Sequence, residues 1–123
     1  MKTIHTAKAP EAIGPYSQAI VHGGLLFTSG QIAINPASGQ VEADTIEGQT
    51  EQVMQNLAAL LEEAGASFDS VIKTTCFLSD MADFAAFNAI YGAYCVSKPA
   101  RSCVAAKQLP KNVLVEVELI AAV

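Results

Sequence analysis

Hydrophobic and polar positions follow two different periods along the chain, and the switches between them mark out the elements. Near the carboxyl end, Leu114-Val115-Glu116-Val117-Glu118-Leu119-Ile120 alternates strictly. Val115, Val117 and Leu119 fall on one face; Leu114, Glu116, Glu118 and Ile120 fall on the other. Two carboxylates about 7 Å apart on one strand face, among apolar residues, are unusual for an ordinary edge strand. From about Thr45 the period is helical. Ile46, Val53, Met54, Leu57, Leu60, Leu61 and Ala64 share a face, while Glu47, Glu51, Glu62 and Glu63 turn away. Asp44 or Thr45 is placed to cap this helix and Gly65 to close it. Val71 to Leu78 reads as a strand. A second helix carries Phe84, Phe87, Ile90, Tyr91 and Tyr94 to about Val96, with Asp80 and Asp83 before it at capping-box spacing. Its aromatic stripe reads as core rather than as a cofactor-binding face.

The amino-terminal third is built from shorter pieces. Met1 to His5 is a short opening strand. Ala9 to Tyr16 holds two prolines and a glycine, which forbid regular structure. A loop so apolar, ending in a tyrosine, is expected to pack on something. Ser17 to Val21 and Leu25 to Ser29 are strands joined by the hairpin signal His22-Gly23-Gly24, and Asn35 to Gly39 is a further turn. Gly30, just after Thr28-Ser29, marks either a β-bulge or a close approach of backbone to a ligand. Near the other end Arg101, the only arginine, follows Pro99 in a segment biased toward extended structure. The order is strands, helix, strand, helix, strand, strand. It predicts an α+β domain with one sheet and two helices on one face. The opposite face also needs a cover, so oligomerisation through the sheet is expected.

Composition narrows the function classes. The chain has 123 residues, 51% of them hydrophobic, which suits one folded domain and excludes disorder. Net charge is -5 and the lysines are scattered singly, which argues against an electrostatic nucleic-acid footprint. No apolar run approaches a membrane span or a signal peptide's core. Cys76, Cys95 and Cys103 are odd in number and widely spaced, as expected of reduced thiols in a cytoplasmic protein. His5 and His22 match no metal-ligand spacing, so no metal is expected. A phosphate-binding glycine loop and a G-x-S-x-G elbow are both missing from the sequence.

What remains for chemistry is concentrated near the carboxyl end. If the strands bearing Arg101 and Glu116 pair through Leu109-Pro110-Lys111-Asn112, a guanidinium and a carboxylate share one neighbourhood, suited to a small anion. A mutual ion pair that only fixes the strand pairing fits the same spacing. Cys103 lies two residues after Arg101, on the same strand face. A nearby cation lowers a thiol pKa and favours a nucleophile; a small buried hydrophobe is the alternative. The backbone of Cys103 is expected to matter more than its sulfur.

Several motifs, in order and at matching separations, carry a resemblance. Ala12-Ile13-Gly14-Pro15-Tyr16-Ser17-Gln18-Ala19, Phe27-Thr28-Ser29-Gly30-Gln31, Pro99-Ala100-Arg101-Ser102-Cys103-Val104, Leu109-Pro110-Lys111 and Val115-Glu116-Val117-Glu118 resemble the RidA (YjgF/YER057c/UK114) family from about Ala9 onward. The resemblance implies a chorismate-mutase-like subunit in a homotrimer with a central β-barrel and active sites in the clefts between subunits. It implies hydrolysis of 2-imino acids such as 2-iminopropanoate and 2-iminobutanoate to 2-oxo acids and ammonia, with no metal or organic cofactor. Carried onto this chain, Arg101 holds the substrate carboxylate and Glu116 positions or deprotonates water. The Cys103 carbonyl accepts from the iminium nitrogen. Gly30 supplies backbone contact, and Tyr16, Ser29 and Asn88 line the cleft. The chain departs from the pattern at Cys95-Val96-Ser97-Lys98, where many members have a longer loop with an aromatic before the proline. Other readings of the same family are a 2-oxo acid sensor or interaction protein, and a ribonuclease or translation inhibitor.

Overall fold

The alternating carboxyl-terminal run becomes a central strand of a six-stranded sheet in the computed structural model, which describes residues 1–123. In chain order the elements are β1 (Lys2–Ile4), β2 (Ala19–His22), β3 (Leu25–Thr28), a small separate hairpin of β4 (Ile34–Asn35) and β5 (Gln40–Val41), α1 (Ile46–Glu63), β6 (Val71–Leu78), α2 (Phe84–Tyr94), β7 (Ala100–Ala105) and β8 (Val115–Ala122). The sheet order is β1-β2-β3-β8-β6-β7. Every neighbouring pair is antiparallel except β6 and β7, which run parallel because α2 returns the chain between them.

Both helices pack on one face of this sheet, as the element order predicts. Val115, Val117, Leu119 and Ala121 of β8 point into the core, joined by Leu26, Cys76 and Leu78 from neighbouring strands. They meet Val53, Met54, Leu57 and Leu61 of α1 and Phe87 and Tyr91 of α2. The valine, leucine, methionine and phenylalanine side chains among them each contribute about 1.5–3 kcal/mol on burial. Thr45 caps α1, its hydroxyl accepting from the Gly48 N–H at 3.1 Å. The β2–β3 hairpin turns on Gly23 and Gly24 at φ +61° and +77°, the left-handed pair that a two-residue hairpin requires.

Buried amides of α1 also fix strand segments. Asn56 Nδ2 donates to the carbonyls of Ile32 (3.1 Å) and Ile34 (2.9 Å), and Gln49 Oε1 accepts from the Leu114 N–H at 2.8 Å. Hydrophobic periodicity passes over both residues, because it scores them as polar.

Three expectations are corrected. β7 does not pair with β8: β6 lies between them, and Leu109 to Asn112 only carries the chain across it. Asp83 makes no side-chain cap to α2, whereas Asp80 accepts from Ala82 N–H at 2.8 Å to cap a preceding 3₁₀ turn. α2 ends at Tyr94, leaving Val96 exposed. The apolar Ala9–Tyr16 loop, expected to pack on something, leaves Ile13 59% and Tyr16 46% exposed within one chain, so any cover for them comes from outside it. The helix-free face of the sheet is likewise uncovered, with Phe27 41% and Val104 51% exposed.

Candidate active site

Arg101 stands on the helix-bearing face of the edge strand β7. Its Cα partner on β6 is Thr74, whose hydroxyl is hydrogen bonded to the Tyr91 hydroxyl of α2 at 2.7 Å. The guanidinium lies 4.9 Å from the Tyr91 ring centroid and 5.3 Å from that of Phe84, and Nη1 donates to Asn88 Oδ1 at 2.7 Å. Phe84, Asn88 and Tyr91 are spaced i, i+4, i+7, so one face of α2 supplies all three supports. Two aromatic faces and one amide fix the plane of the fork; its remaining N–H groups are left for a ligand. Arg101, Asn88 and Tyr91, together with Lys98 and Pro99, line a cavity of about 490 Å³.

Glu116 stands on the opposite face. It opposes Phe77 of β6, three residues on from Thr74, and an odd offset reverses the side of the sheet. Arg101 and Glu116 are therefore separated by β6 and by the thickness of the sheet. Within one chain they share no neighbourhood, and the ion pairs of the chain are His5–Glu11 and Lys8–Glu62. Glu116 belongs instead to a cavity of about 630 Å³ lined by Tyr16, Ser29, Gly30, Gln31, Glu118 and residues of the Pro10–Ile13 loop. The candidate residues thus fall into two groups: Arg101, Asn88 and the Cys103 strand in one, Tyr16, Ser29, Gly30 and Glu116 in the other.

Gly30 sits where it does because of Glu116. A Cβ on Gly30 would lie 2.0 Å from Glu116 Oε1 and 2.9 Å from its carboxyl carbon. Of the two alternatives for this glycine, the bulge has a counterpart. Phe27 opposes Ile120 and Gln31 opposes Val117, so Thr28, Ser29 and Gly30 face only Glu118 and Leu119. One extra residue is accommodated there, as in a bulge, and the backbone does approach something closely, namely a carboxylate.

Burial raises the Glu116 carboxyl above the usual range, and the neighbouring Glu118 carboxylate raises it further. The folded state then holds the Glu116 proton more tightly than the unfolded chain does. The corresponding stabilisation is present below the ordinary carboxyl value of 4.5 and is lost as pH rises through the folded-state value. Burial also raises the Cys103 thiol, and Arg101 opposes this only in part. A thiol held above its ordinary value is less readily ionised, which does not favour a nucleophilic role for the sulfur of Cys103. Its backbone lies on an edge strand paired on one side only.

Gln18, present in the Ala12–Ala19 motif but given no role there, joins the walls of the Glu116 cavity. Its buried carboxamide accepts from Thr6 N–H (2.8 Å) and donates to the carbonyls of Thr6 (3.1 Å), Ala9 (3.3 Å) and Pro10 (2.8 Å). Its own carbonyl accepts from Ser29 N–H at 2.9 Å, beside a 2.6 Å bond from Ser29 Oγ to the Ser17 carbonyl. Its place in the Ala12–Ala19 motif was the one signal for it; the β-prone run Ser17 to Val21 records nothing of its partners. Gln18→Ala is expected to cost about 1–3 kcal/mol, the penalty for stranding buried partners, measured by urea unfolding.

Comparison with known proteins is consistent along the whole chain. Residues 6–123 match the family model described as Endoribonuclease L-PSP. AldR of Lactococcus lactis, named as a candidate regulator, is 56% identical over 124 residues, covering 100% of this chain and 98% of that one. A 2-iminobutanoate/2-iminopropanoate deaminase of Escherichia coli K12 is 46% identical over 124 residues, covering 98% and 96%. The crystal structure of E. coli TdcF with bound serine superposes with a TM-score of 0.95 at 40% identity, covering 100% of this chain and 99% of that one.

Proposed function

This chain belongs to the endoribonuclease L-PSP (YjgF/RidA) family, and from that premise we propose that it hydrolyses reactive 2-imino acids such as 2-iminopropanoate and 2-iminobutanoate to 2-oxo acids and ammonia. The observation that carries the reading is the pair of complementary half-sites. One presents a rigid guanidinium between Phe84, Tyr91 and Asn88; the other presents a carboxyl group with a raised pKa against a glycine. The relative named as an imine deaminase and the serine-bound neighbour supply the substrate class, an amino-acid skeleton with a carboxylate.

Two copies of the chain bring the halves together. The uncovered sheet face, with Phe27 and Val104 exposed, is the surface for a trimeric barrel, and the exposed Ile13 and Tyr16 of the loop meet the neighbouring copy. Arg101 of one copy pairs the substrate carboxylate through parallel N–H bonds, an arrangement that a lysine does not reproduce. The Cys103 carbonyl accepts from the protonated imine and keeps C2 electrophilic. Glu116 of the other copy takes a proton from water as its oxygen bonds to C2, opening the C=N bond to a tetrahedral amino alcohol. The proton returns to nitrogen; Glu116 then takes the hydroxyl proton as C=O forms and C–N breaks, and passes it to the departing ammonia, so that the 2-oxo acid and ammonium leave. A carboxyl group raised toward neutrality suits these proton transfers, which are worth about two to four powers of ten.

The test couples an amino-acid oxidase or a serine/threonine dehydratase to this protein and traps surviving imine with semicarbazide. Wild type is expected to suppress the trapped imine, while Arg101→Ala and Glu116→Gln do not. Equal suppression by all three overturns the assignment of the site. Glu118→Gln removes one cause of the raised Glu116 pKa, so the acidic limb of kcat/KM against pH is expected to move to lower pH. An unmoved limb means another group titrates there. The name of AldR favours a second reading, a sensor that binds a 2-oxo acid without turnover. Binding retained by a wild type with no measurable turnover would establish it. Scattered lysines and a net charge of -5 oppose the ribonuclease reading.

A further inference from the structure

The cavity that holds Arg101 contains a second cation for which hydrolysis of 2-iminopropanoate or 2-iminobutanoate has no use. Lys98 lines it together with Asn88, Tyr91, Pro99 and Arg101, and no aspartate or glutamate is among the lining residues. Lysine and arginine number 7 against 12 aspartates and glutamates, so two cations around one acid-free cavity concentrate positive charge against the sign of the whole chain. The ion pairs His5–Glu11 and Lys8–Glu62 leave Lys98 without a carboxylate partner.

The backbone holds the lysine in place. Lys98 has φ +55°, in the left-handed region that a residue with a Cβ adopts only at a cost, and its N–H donates to the Cys95 carbonyl at 3.1 Å. Pro99 then restricts the following φ. Arg101, by contrast, is fixed through its side chain by Phe84, Tyr91 and Asn88. The cavity therefore offers one rigid fork and one flexible ammonium. The half-site around Glu116 has the opposite sign, with Glu11, Glu116 and Glu118 in its walls.

We propose that Lys98 is a specificity-determining residue and that 2-imino acids carrying a second carboxylate are preferred over the simple ones. This rests on the deaminase reading of the site. The 1-carboxylate of such a substrate occupies the Arg101 fork. Its second carboxylate is repelled by Glu11, Glu116 and Glu118 and paired by Lys98. A monocarboxylic substrate leaves the ammonium to solvent. Because the lysine is exposed, the discrimination is about tenfold rather than a thousandfold.

The experiment generates 2-iminosuccinate from aspartate and 2-iminopropanoate from alanine with amino-acid oxidases, and compares kcat/KM for the two with wild type, Lys98→Gln and Lys98→Arg. In parallel, calorimetry measures oxaloacetate and pyruvate binding to each protein. Wild type is expected to favour 2-iminosuccinate by about tenfold, Lys98→Gln to lose that ratio and Lys98→Arg to keep most of it. A ratio near one in wild type, or one that Lys98→Gln leaves unchanged, overturns the proposal while the deaminase reading stands. If neither imine is hydrolysed, the deaminase reading fails and binding decides. Tighter oxaloacetate binding that depends on Lys98 supports the second-carboxylate site, and equal binding of the two oxo acids overturns it.

Discussion

Mixing Arg101→Ala subunits with Glu116→Gln subunits is expected to restore imine hydrolysis that neither variant shows alone. The reason lies in the sheet register. Arg101 opposes Thr74 on β6 and Glu116 opposes Phe77, so the two side chains leave opposite faces of the same sheet. No side-chain rotation brings them to one substrate within a chain. A site that uses both must take one residue from each of two copies. In a cyclic oligomer assembled at random from equal amounts of the variants, about one site in four then receives an intact Arg101 from one neighbour and an intact Glu116 from the other. Co-expression with two different affinity tags, isolation of doubly tagged oligomers and the semicarbazide assay provide the measurement. Recovery from essentially nothing is a large signal. Inactive mixed oligomers would mean that the two residues do not serve a shared site.

Gly30→Ala is expected to lower kcat by a hundredfold or more while the protein stays folded. The added methyl would occupy the space of the Glu116 carboxylate, at 2.0 Å from Oε1. The obstacle is the end of a side chain with rotamer freedom, so the fold has an inexpensive escape: the carboxylate swings away. Catalysis does not have that escape, because general-base help requires the carboxylate within hydrogen-bond reach of the attacking water. Stability is expected to fall by only about 1 kcal/mol, in the ordinary range for a small added group that its neighbours accommodate. The two measurements are a urea unfolding curve and steady-state kinetics on the same preparation. Unchanged kcat in a folded Gly30→Ala protein would show that Glu116 works from another position, or does not work at all.

Much of the fold was legible in the sequence because its elements are strongly periodic. The run from Thr45 to Gly65 gave α1, with the choice of Asp44 or Thr45 as cap left to the structure, and Val71 to Leu78 gave β6 to the residue. The alternation of Val115, Val117 and Leu119 correctly marked the buried face of β8. These are local signals: one buried face writes its period into the residues that build it. The same holds for Gly23-Gly24, where the backbone angles demand glycine.

The candidate site divides along a similar line. Arg101, Glu116, Gly30 and Tyr16 were visible within the motifs that carry the family resemblance, Asn88 only as a residue carried over from the family, and the family follows from those motifs. Their arrangement was not visible. Adjacency in sequence suggested that β7 and β8 pair, whereas β6 lies between them, because the partner of a strand is chosen by long-range packing and not by the turn that leads to it. The roles of Gln18, Gln49 and Asn56 were invisible for the opposite reason. All three are polar residues whose value depends on carbonyls and amides brought to them by distant segments, and a polar letter in a helical or β-prone run records none of that. The sequence by itself determined which elements form, which faces are apolar and which residues are chemically out of the ordinary. Only the tertiary structure decided that the guanidinium and the carboxylate stand on opposite faces of one sheet, because side-chain direction across a sheet is set by strand register.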